Sequence, residues 1–139
     1  MMPESVSEPE PVPAARLHKL CLLILHTGAA DLAECATPLL HALTANAMEC
    51  EVEIYFIGAS VRLLAGDTAA SVLAGHPRKP LAALLEEAQA SGVHIYACTS
   101  AWKTHLAPAA KLARGCAGFA GAATYLGRAM DPEWRILSY

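Results

Sequence analysis

The sequence predicts a single α/β domain in which a mostly parallel sheet of about five strands is covered by helices on both faces. Apolar runs of strand length alternate along the chain with segments whose apolar residues recur at helical spacing. The turns between them are short, and a chain of 139 residues, 55% of them hydrophobic, is long enough to form one core. Strands and helices that alternate in this way are typical of a parallel sheet.

The chain begins with a segment that lacks the apolar residues of a core. Residues 1–16 are rich in Pro and Glu, so we predict a disordered tail ahead of a domain that spans residues 17–139. The first strand is expected at residues 19–25, because an unbroken apolar run indicates a strand buried on both faces. A helix is expected at residues 31–47, and Pro38 should kink or break it.

The middle of the chain continues the alternation. Residues 51–57 predict the second strand, whose first half alternates charged and β-branched residues and whose second half is apolar. A short helix is expected at residues 61–65. The segment 66–80 contains several Gly and Pro breakpoints and is predicted to be a mobile loop. Residues 81–90 form the next predicted helix, which a Ser-Gly turn ends.

The last third of the sequence predicts three strands and two helices. The apolar run at residues 93–98 is the third strand, and it ends in a cysteine. A helix is predicted at residues 100–113 and a brief strand at residues 116–119. Another helix at residues 122–130 and a final strand at residues 134–139 complete the pattern.

Composition excludes two classes of partner. The net charge of −3 leaves no broad basic face for nucleic acid. The longest apolar runs are too short to cross a bilayer, and the beginning of the chain lacks the basic flank and apolar stretch of a signal peptide. We therefore expect a cytoplasmic protein that binds neither nucleic acid nor membrane.

No cofactor and no metal is expected from the motifs. The turn after the first strand has neither the GxGxxG nor the GxxxxGK[ST] glycine pattern of nucleotide-binding proteins. The six histidines show no spacing typical of a metal site. The five cysteines form an odd set without a CxxC pair, which argues against a disulfide framework and against structural zinc.

Cys98 is the residue that most strongly indicates function. It ends the third strand just before a predicted helix, where open α/β sheets place ligands and nucleophiles. The free N–H groups and partial positive charge of a helix amino terminus favour a thiolate. Because the carboxyl ends of parallel strands meet in one crevice, we expect substrate contacts from Thr99 and Ser100, and from Gly58 and Ser60 after the second strand.

These residues also have structural interpretations. Free cysteine is among the most buried residue types and often only fills space, and Ser60 and Thr99 are explained equally well as helix caps. Lys103 and His105 lie one to two helical turns beyond the thiol, where they would lower its pKa or simply face solvent. His94 is about 13 Å away along the strand, which is too far for contact.

Two further residues have open roles beside the thiol. Cys116 lies in a predicted turn near the end of the sheet, where it would resolve an oxidised Cys98 if the two were adjacent. Trp102 would cover the thiol or simply pack in the core.

Four segments, taken in order, resemble the DsrE/DsrF-like family. They are residues 52–56 with 61–64, residues 91–98, residues 121–126 and the final Tyr139. Their spacing matches over roughly residues 17–139. The resemblance implies a Rossmann-like or flavodoxin-like fold and assembly as trimers or hexamers. In the sulfur-relay members of the family, a cysteine at the position of Cys98 carries sulfane sulfur as a persulfide. The chain departs from the family at residues 57–60, where a Thr-Gly-Asp-Gly turn is usual.

Three functions are compatible with these observations. The leading hypothesis is a small sulfur carrier or sulfurtransferase, in which Cys98 accepts sulfane sulfur as a persulfide and passes it to a partner thiol. Its partners would be sulfur donor and acceptor proteins. The alternative is a non-enzymatic oligomeric binding or regulatory module with a structural Cys98. A thiol peroxidase with Cys116 as the resolving thiol ranks third. In each case we expect a homo-oligomer, a trimer or hexamer.

Overall fold

The computed structural model of the protein describes residues 7–11 and 19–139. Most of the predicted tail at residues 1–16, and the first two residues of the predicted domain, therefore lie outside the described residues. Residues 7–11 are exposed and belong to no helix or strand.

Seven strands and four α-helices form in the described part of the chain. The strands are β1 (Lys19–Ile24), β2 (Glu51–Phe56), β3 (Leu73–Ala74), β4 (Lys79–Pro80), β5 (His94–Cys98), β6 (Gly118–Ala120) and β7 (Trp134–Ser138). The helices are α1 (Ala36–Ala47), α2 (Leu81–Ala90), α3 (Thr99–His105) and α4 (Ala122–Met130). Five strands form a parallel sheet in the order β6-β5-β2-β1-β7, and β3 pairs antiparallel with β4. The predicted Rossmann-like α/β fold is confirmed.

The sheet separates two cores. On one face, here called the α1 face, Leu22 and Ile54 of the sheet pack with Leu39 of α1 and Leu85 of α2. The opposite face, here called the α4 face, buries a smaller cluster. Its members are Cys21, Leu23, Tyr55, Ala120 and Trp134. Helices thus cover both faces, as predicted, but the α4 face has the smaller core.

Strand alternation decides which core each side chain reaches. Successive residues of a strand point to opposite faces of the sheet, so Leu22 of β1 reaches the α1 face and Cys21 reaches the α4 face. In β5 the same rule places Ile95 on the α1 face and Tyr96 on the α4 face. Because both faces are covered, the central strands are apolar along most of their length, as a strand with two buried faces requires.

The predicted helix at residues 31–47 is divided. A 3-10 helix spans Leu32–Cys35, and the Asp31 carboxylate caps it by accepting a hydrogen bond from the Ala33 N–H at 3.0 Å. The α-helix α1 follows directly, so Pro38 lies in its first turn, where a missing N–H removes no intrahelical bond. The break therefore precedes the proline.

Two predictions for the middle of the chain are corrected. The segment 66–80, predicted to be a loop, contains a 3-10 helix over Thr68–Ser71 and the β3–β4 hairpin. The short helix predicted at residues 61–65 is a 3-10 helix over Ala59–Leu64 that begins directly after the turn at the end of β2. Short helices of this tight geometry are common connectors between regular elements.

The helix predicted at residues 100–113 is wrong in its second half. The helix α3 ends at His105, and the backbone of Leu106 is already extended, with φ −116° and ψ 151°. Pro108 explains this end, since it cannot continue a helix and biases the preceding residue away from helical angles. The apolar residues beyond it pack as an irregular segment.

The helices in the described ranges are short. The longest of them, α1, has 12 residues, whereas about 20 are needed to cross a bilayer. None of these helices is long and apolar enough to span a membrane.

Candidate functional site

The thiol of Cys98 lies at the carboxyl end of β5, between the neighbouring strands β2 and β6. Ala97 is buried in the α1-face core, so strand alternation turns Cys98 toward the α4 face. The backbone of Cys98 is still extended, with φ −66° and ψ 126°, and α3 starts at the next residue. The sulfur therefore sits where the strand turns into the helix.

Four hydrogen-bond donors surround the sulfur. Sγ of Cys98 lies 3.4 Å from the hydroxyl oxygen of Ser100 and 3.9 Å from that of Tyr125, which comes from α4. The backbone N–H groups of Ser100 and Ala101 are the other two donors. Burial by itself raises the pKa of the Cys98 thiol, but the four hydrogen bonds favour the thiolate, and the net pKa is lowered from its usual value.

The same sulfur is shielded from solvent. Cys98 is only 3% exposed, and Tyr125 approaches it from α4, which lies on this face. Burial and the hydrogen bond to Cys98 raise the pKa of Tyr125, so its hydroxyl stays protonated and donates a hydrogen bond to the sulfur. The site thus combines an acidic thiol with restricted access.

An ion pair between a buried carboxylate and a half-buried guanidinium lies on the same face of the sheet. Glu53 of β2 is 5% exposed, and its carboxylate accepts hydrogen bonds from Arg128 Nε at 2.7 Å and from Nη2 at 3.3 Å. The Tyr55 hydroxyl donates to the same carboxylate at 2.8 Å. The guanidinium carbon of Arg128 also lies 4.7 Å from the ring centroid of Trp134. Both charges are therefore paired and hydrogen-bonded, as buried charges require.

Aromatic rings connect the ion pair to the thiol. The Tyr55 ring stacks on Tyr96 with centroids 5.0 Å apart, and its centroid lies 5.8 Å from that of Tyr125. Burial, followed by the hydrogen bond to Glu53, raises the pKa of Tyr55, so this hydroxyl also stays protonated. Contacts therefore run without interruption from Glu53 through Tyr55 and Tyr125 to the sulfur.

Comparison with known proteins identifies the family of the chain. The sequence model of the DsrE/DsrF-like family matches residues 19–130, which include β1, Cys98 and α4. The chain belongs to the DsrE/DsrF-like family. This family is generally associated with sulfur relay. A search of curated proteins finds no match.

Cys98 differs from other thiols of this DsrE-like domain in its acidity. Burial raises the pKa of Cys21 and of Cys35 to about 12, and it raises that of Cys116 to about 11. Of these four thiols, Cys98 is the one whose surroundings favour the thiolate. Among residues 7–11 and 19–139, no three His, Cys, Asp or Glu side chains group closely enough to hold a metal ion.

Thr99 and Ser100 lie beside Cys98, in the first turn of α3. Ser100 contributes both its hydroxyl and its backbone N–H to the sulfur. Thr99 is half-buried and is the first residue of the helix. These two predicted site residues are therefore brought together with the thiol.

Gly58 and Ser60 have other contacts. The Ser60 hydroxyl is buried and lies 3.5 Å from the carbonyl oxygen of Ile24, to which it donates. A Cβ placed on Gly58 would lie 2.6 Å from the carbonyl oxygen of Leu25, so glycine is what allows β1 and β2 to end this close together. No hydrogen bond within residues 19–139 joins either residue to Cys98.

Cys116 lies on the opposite side of the sheet from Cys98. It packs against the α1-face core, and its sulfur accepts a hydrogen bond from Gln89 Nε2 of α2 at 3.6 Å. The structure therefore does not bring the proposed resolving thiol to Cys98. A peroxidase cycle that closes a disulfide between these two cysteines would require the sheet edge to rearrange.

The other predicted helpers do not contact the sulfur in the described residues. Lys103 and His105 are exposed in the last turn of α3, and His94 is at the far end of β5. Trp102 belongs to the α1-face core and meets Phe119 edge to face at 5.2 Å between centroids. Trp102 therefore packs in the core and does not cover the thiol.

Sequence reasoning missed Tyr125, Glu53 and Arg128. Tyr125 belongs to one of the segments that carry the family resemblance, but nothing local connects it with a residue 27 positions earlier. Glu53 did leave a signal, since a carboxylate inside a strand buried on both faces requires a partner. The identity of that partner depends on where α4 crosses the sheet.

Proposed function

We propose that this DsrE-like domain is a cytoplasmic sulfur-relay protein in which Cys98 accepts a sulfane sulfur as a persulfide and passes it to a partner thiol. The observation that carries the proposal is the set of four hydrogen-bond donors around Sγ of Cys98. They favour the thiolate, which is the form of cysteine that attacks sulfur. The association of the family with sulfur relay supports the same reaction.

The chemistry consists of two displacements at sulfur. In loading, the Cys98 thiolate attacks a sulfane sulfur of the donor. A new S–S bond forms, the bond from that sulfur to the rest of the donor breaks, and the departing sulfur keeps the electron pair. In transfer, the thiolate of an acceptor attacks the outer sulfur, and Cys98 leaves again as a thiolate.

The hydrogen bonds at the thiol assist both steps. A lowered pKa increases the thiolate fraction for loading, and it makes Cys98 a better leaving group in transfer. The Ser100 and Tyr125 hydroxyls, which donate to the sulfur, stabilise the charge that Cys98 regains when the persulfide is broken. No other side-chain chemistry is needed for the proposed cycle.

Partners and assembly belong to the same proposal. The donor and acceptor are proteins with sulfane sulfur or thiols, and the domain itself assembles as a trimer or hexamer. Exposed apolar side chains support self-association, since Met130 is 81% exposed and Leu126 is 48% exposed on α4. A reducing cytoplasm suits five cysteines that form no disulfide in the described residues, where all five lie.

The burial of Cys98 favours the second candidate function. A cysteine that is 3% exposed is also what a purely structural role would produce. In that case the domain is an oligomeric binding or regulatory module, and its thiol reacts slowly with alkylating reagents at neutral pH. The two functions therefore predict different alkylation rates for Cys98 at neutral pH.

Intact mass spectrometry after incubation with polysulfide tests the proposal. The wild-type chain should gain one or more sulfur atoms, and a reductant should remove them. Cys98→Ser should gain none, whereas Cys116→Ser, which removes a half-buried thiol of raised pKa, should load like the wild type.

Two results would contradict the proposal. Loading that persists in Cys98→Ser would assign the sulfur to another thiol. A wild-type chain that stays unmodified and is also slow to alkylate at neutral pH would favour the structural role of Cys98.

A further inference from the structure

Glu53 is a buried charged group that the proposed sulfur chemistry does not use. Its side chain is 7% exposed and pairs with Arg128 through both carboxylate oxygens. Taking the Glu53 carboxylate out of water costs free energy that an apolar side chain would not cost, and the half-buried Arg128 guanidinium adds a smaller cost. An ion pair under a surface helix therefore calls for an explanation other than stability.

The position of Arg128 on α4 suggests the explanation. Arg128 follows Tyr125 by three residues, so the two side chains lie on the same side of the helix. No residue of α4 is fully buried, and these two are the half-buried ones. The contact of α4 with the sheet thus depends mainly on the residue that pairs with Glu53 and the residue that contacts Cys98.

We propose that the Glu53–Arg128 ion pair fixes α4 on the sheet and thereby holds the Tyr125 hydroxyl at the sulfur of Cys98. Glu53 and Arg128 are positioning residues, because neither touches the sulfur. The pair controls two properties of the thiol together. It keeps the thiol acidic, through the hydrogen bond from Tyr125, and it keeps the thiol enclosed, through the placement of α4.

The contacts around the pair are specific enough for this role. Arg128 forms two hydrogen bonds to one carboxylate and also lies over the Trp134 ring, an arrangement that a planar guanidinium satisfies and a lysine ammonium does not. The Tyr55 hydroxyl fixes the carboxylate from the other side, and the Tyr55 ring lies against Tyr125. Each partner thus has a single orientation.

If α4 were released from the sheet, the Cys98 thiol should become less acidic and more accessible to reagents. Without the hydrogen bond from Tyr125, the pKa of Cys98 rises, and a rise of one unit leaves about tenfold less thiolate at neutral pH. At a pH high enough to ionise the thiol fully, the same variant should react faster with a bulky reagent, because α4 no longer covers the sulfur. A general loss of structure would instead expose all five cysteines.

Alkylation of Cys98 in the full-length chain measures both effects. The rate constants for iodoacetamide and for a bulky fluorescein maleimide are followed against pH, with the modified cysteine identified by peptide mass. Arg128→Met should shift the pH profile of the iodoacetamide rate constant to higher pH. At high pH, where the rate constants no longer change, it should raise the ratio of the maleimide rate constant to the iodoacetamide rate constant. Tyr125→Phe should move the profile but leave that ratio close to the wild-type value.

A matched control is available beside the pair. Lys19 also lies over the Trp134 ring, at 5.7 Å, but its ion pair is with the exposed Glu133. Lys19→Met therefore removes a cation from the same surface without touching Glu53, and it should leave the profile and the ratio unchanged.

A second variant keeps the test valid if Arg128→Met does not fold. Arg128→Met leaves the Glu53 carboxylate buried without its partner, so the double variant Glu53→Gln with Arg128→Met is measured alongside. It removes both charges while keeping an oxygen that accepts from Tyr55. Folded variants with wild-type profiles and wild-type reagent ratios would overturn the proposal.

The positioning role rests on the proposed function only in assuming that Cys98 is a reactive thiol. The experiments can contradict either proposal without contradicting the other. If polysulfide does not load Cys98 but the alkylation effects occur, the positioning role stands and sulfur relay is wrong. If loading occurs and Arg128→Met alkylates like the wild type, the relay stands and the positioning role is wrong.

Discussion

At the scale of single residues, the acidity of Cys98 comes from neighbours that different parts of the chain supply. Ser100 and Ala101 are close because the strand turns directly into α3, whereas Tyr125 arrives from α4. The local donors depend on a short stretch of backbone and the remote donor depends on the tertiary fold. Their contributions can therefore be separated by substitution.

Ser100→Ala should raise the pKa of Cys98 while leaving α4 in place. A hydrogen bond to a charged group contributes roughly 1.5–3 kcal/mol, and the exposure of Ser100 to solvent places this bond at the lower end. We expect a rise of up to about one pKa unit, so that alkylation at neutral pH slows by up to about tenfold. The pH profile of iodoacetamide alkylation measures this shift.

The control for that experiment is Ser71→Ala. The Ser71 hydroxyl bonds to the Thr68 carbonyl at the exposed end of a 3-10 helix, so its loss should not move the alkylation profile. A profile for Ser100→Ala that coincides with the control would remove Ser100 from the site.

The local part of the site could be predicted from the sequence and the remote part could not. Cys98, Thr99 and Ser100 were placed together because adjacent residues at the end of a buried strand share one turn. Tyr125 was missed because its approach depends on how α4 crosses the sheet. Ser60 was expected to contact the substrate because its turn lies at the same edge of the sheet as Cys98. Its hydroxyl instead donates to the carbonyl oxygen of Ile24.

At the scale of elements, the prediction succeeded where one apolar stripe determines a helix. The helices α2 and α4 have the predicted bounds. The predicted extension of α3 to residue 113 is wrong, because Pro108 outweighed the apolar spacing beyond it. The 66–80 segment was misjudged for the opposite reason, since its Gly and Pro residues build a hairpin as readily as a loop.

Gly58→Ala should destabilise the domain through the junction of β1 and β2. The added methyl group would lie 2.6 Å from a backbone oxygen of Leu25, and relief requires a backbone shift. Overpacking of this kind costs about 1–3 kcal/mol. Urea denaturation followed by circular dichroism should show a lower midpoint.

Gly127→Ala provides the matched control for Gly58→Ala. An added Cβ at Gly127 meets nothing within 4 Å, and alanine in a helix is favoured over glycine by about 0.5–1 kcal/mol. This variant should therefore be slightly more stable than the wild type. Equal midpoints for the two variants would contradict the role assigned to Gly58.

At the scale of the whole molecule, the two faces of the sheet have different characters. The α1 face holds the larger apolar core, and the α4 face combines aromatic rings, the Glu53–Arg128 ion pair and the acidic thiol. The outer side of α4 adds exposed apolar side chains, among them Met130 and Leu126. In the oligomer that we propose, this outer side of α4 is the surface that a second copy covers.

Light scattering of the purified chain should give the mass of a trimer or hexamer. Met130→Lys should weaken that assembly, since the side chain is 81% exposed and apolar. Leu73→Lys, which changes a 42% exposed leucine on the β3–β4 hairpin, should not. A wild-type monomer at micromolar concentration would contradict the proposed oligomer.

In the proposed relay, the sheet between Cys98 and Cys116 makes the fate of a sulfur on Cys98 depend on encounters with other molecules. Cys116 is on the far face, and Cys21, on the near face, is fully buried with its pKa raised to about 12. An internal disulfide, which would discharge a persulfide at once, has no partner thiol within reach. Discharge should therefore follow second-order kinetics, with a rate proportional to acceptor concentration, and the persulfide should persist when no acceptor is present.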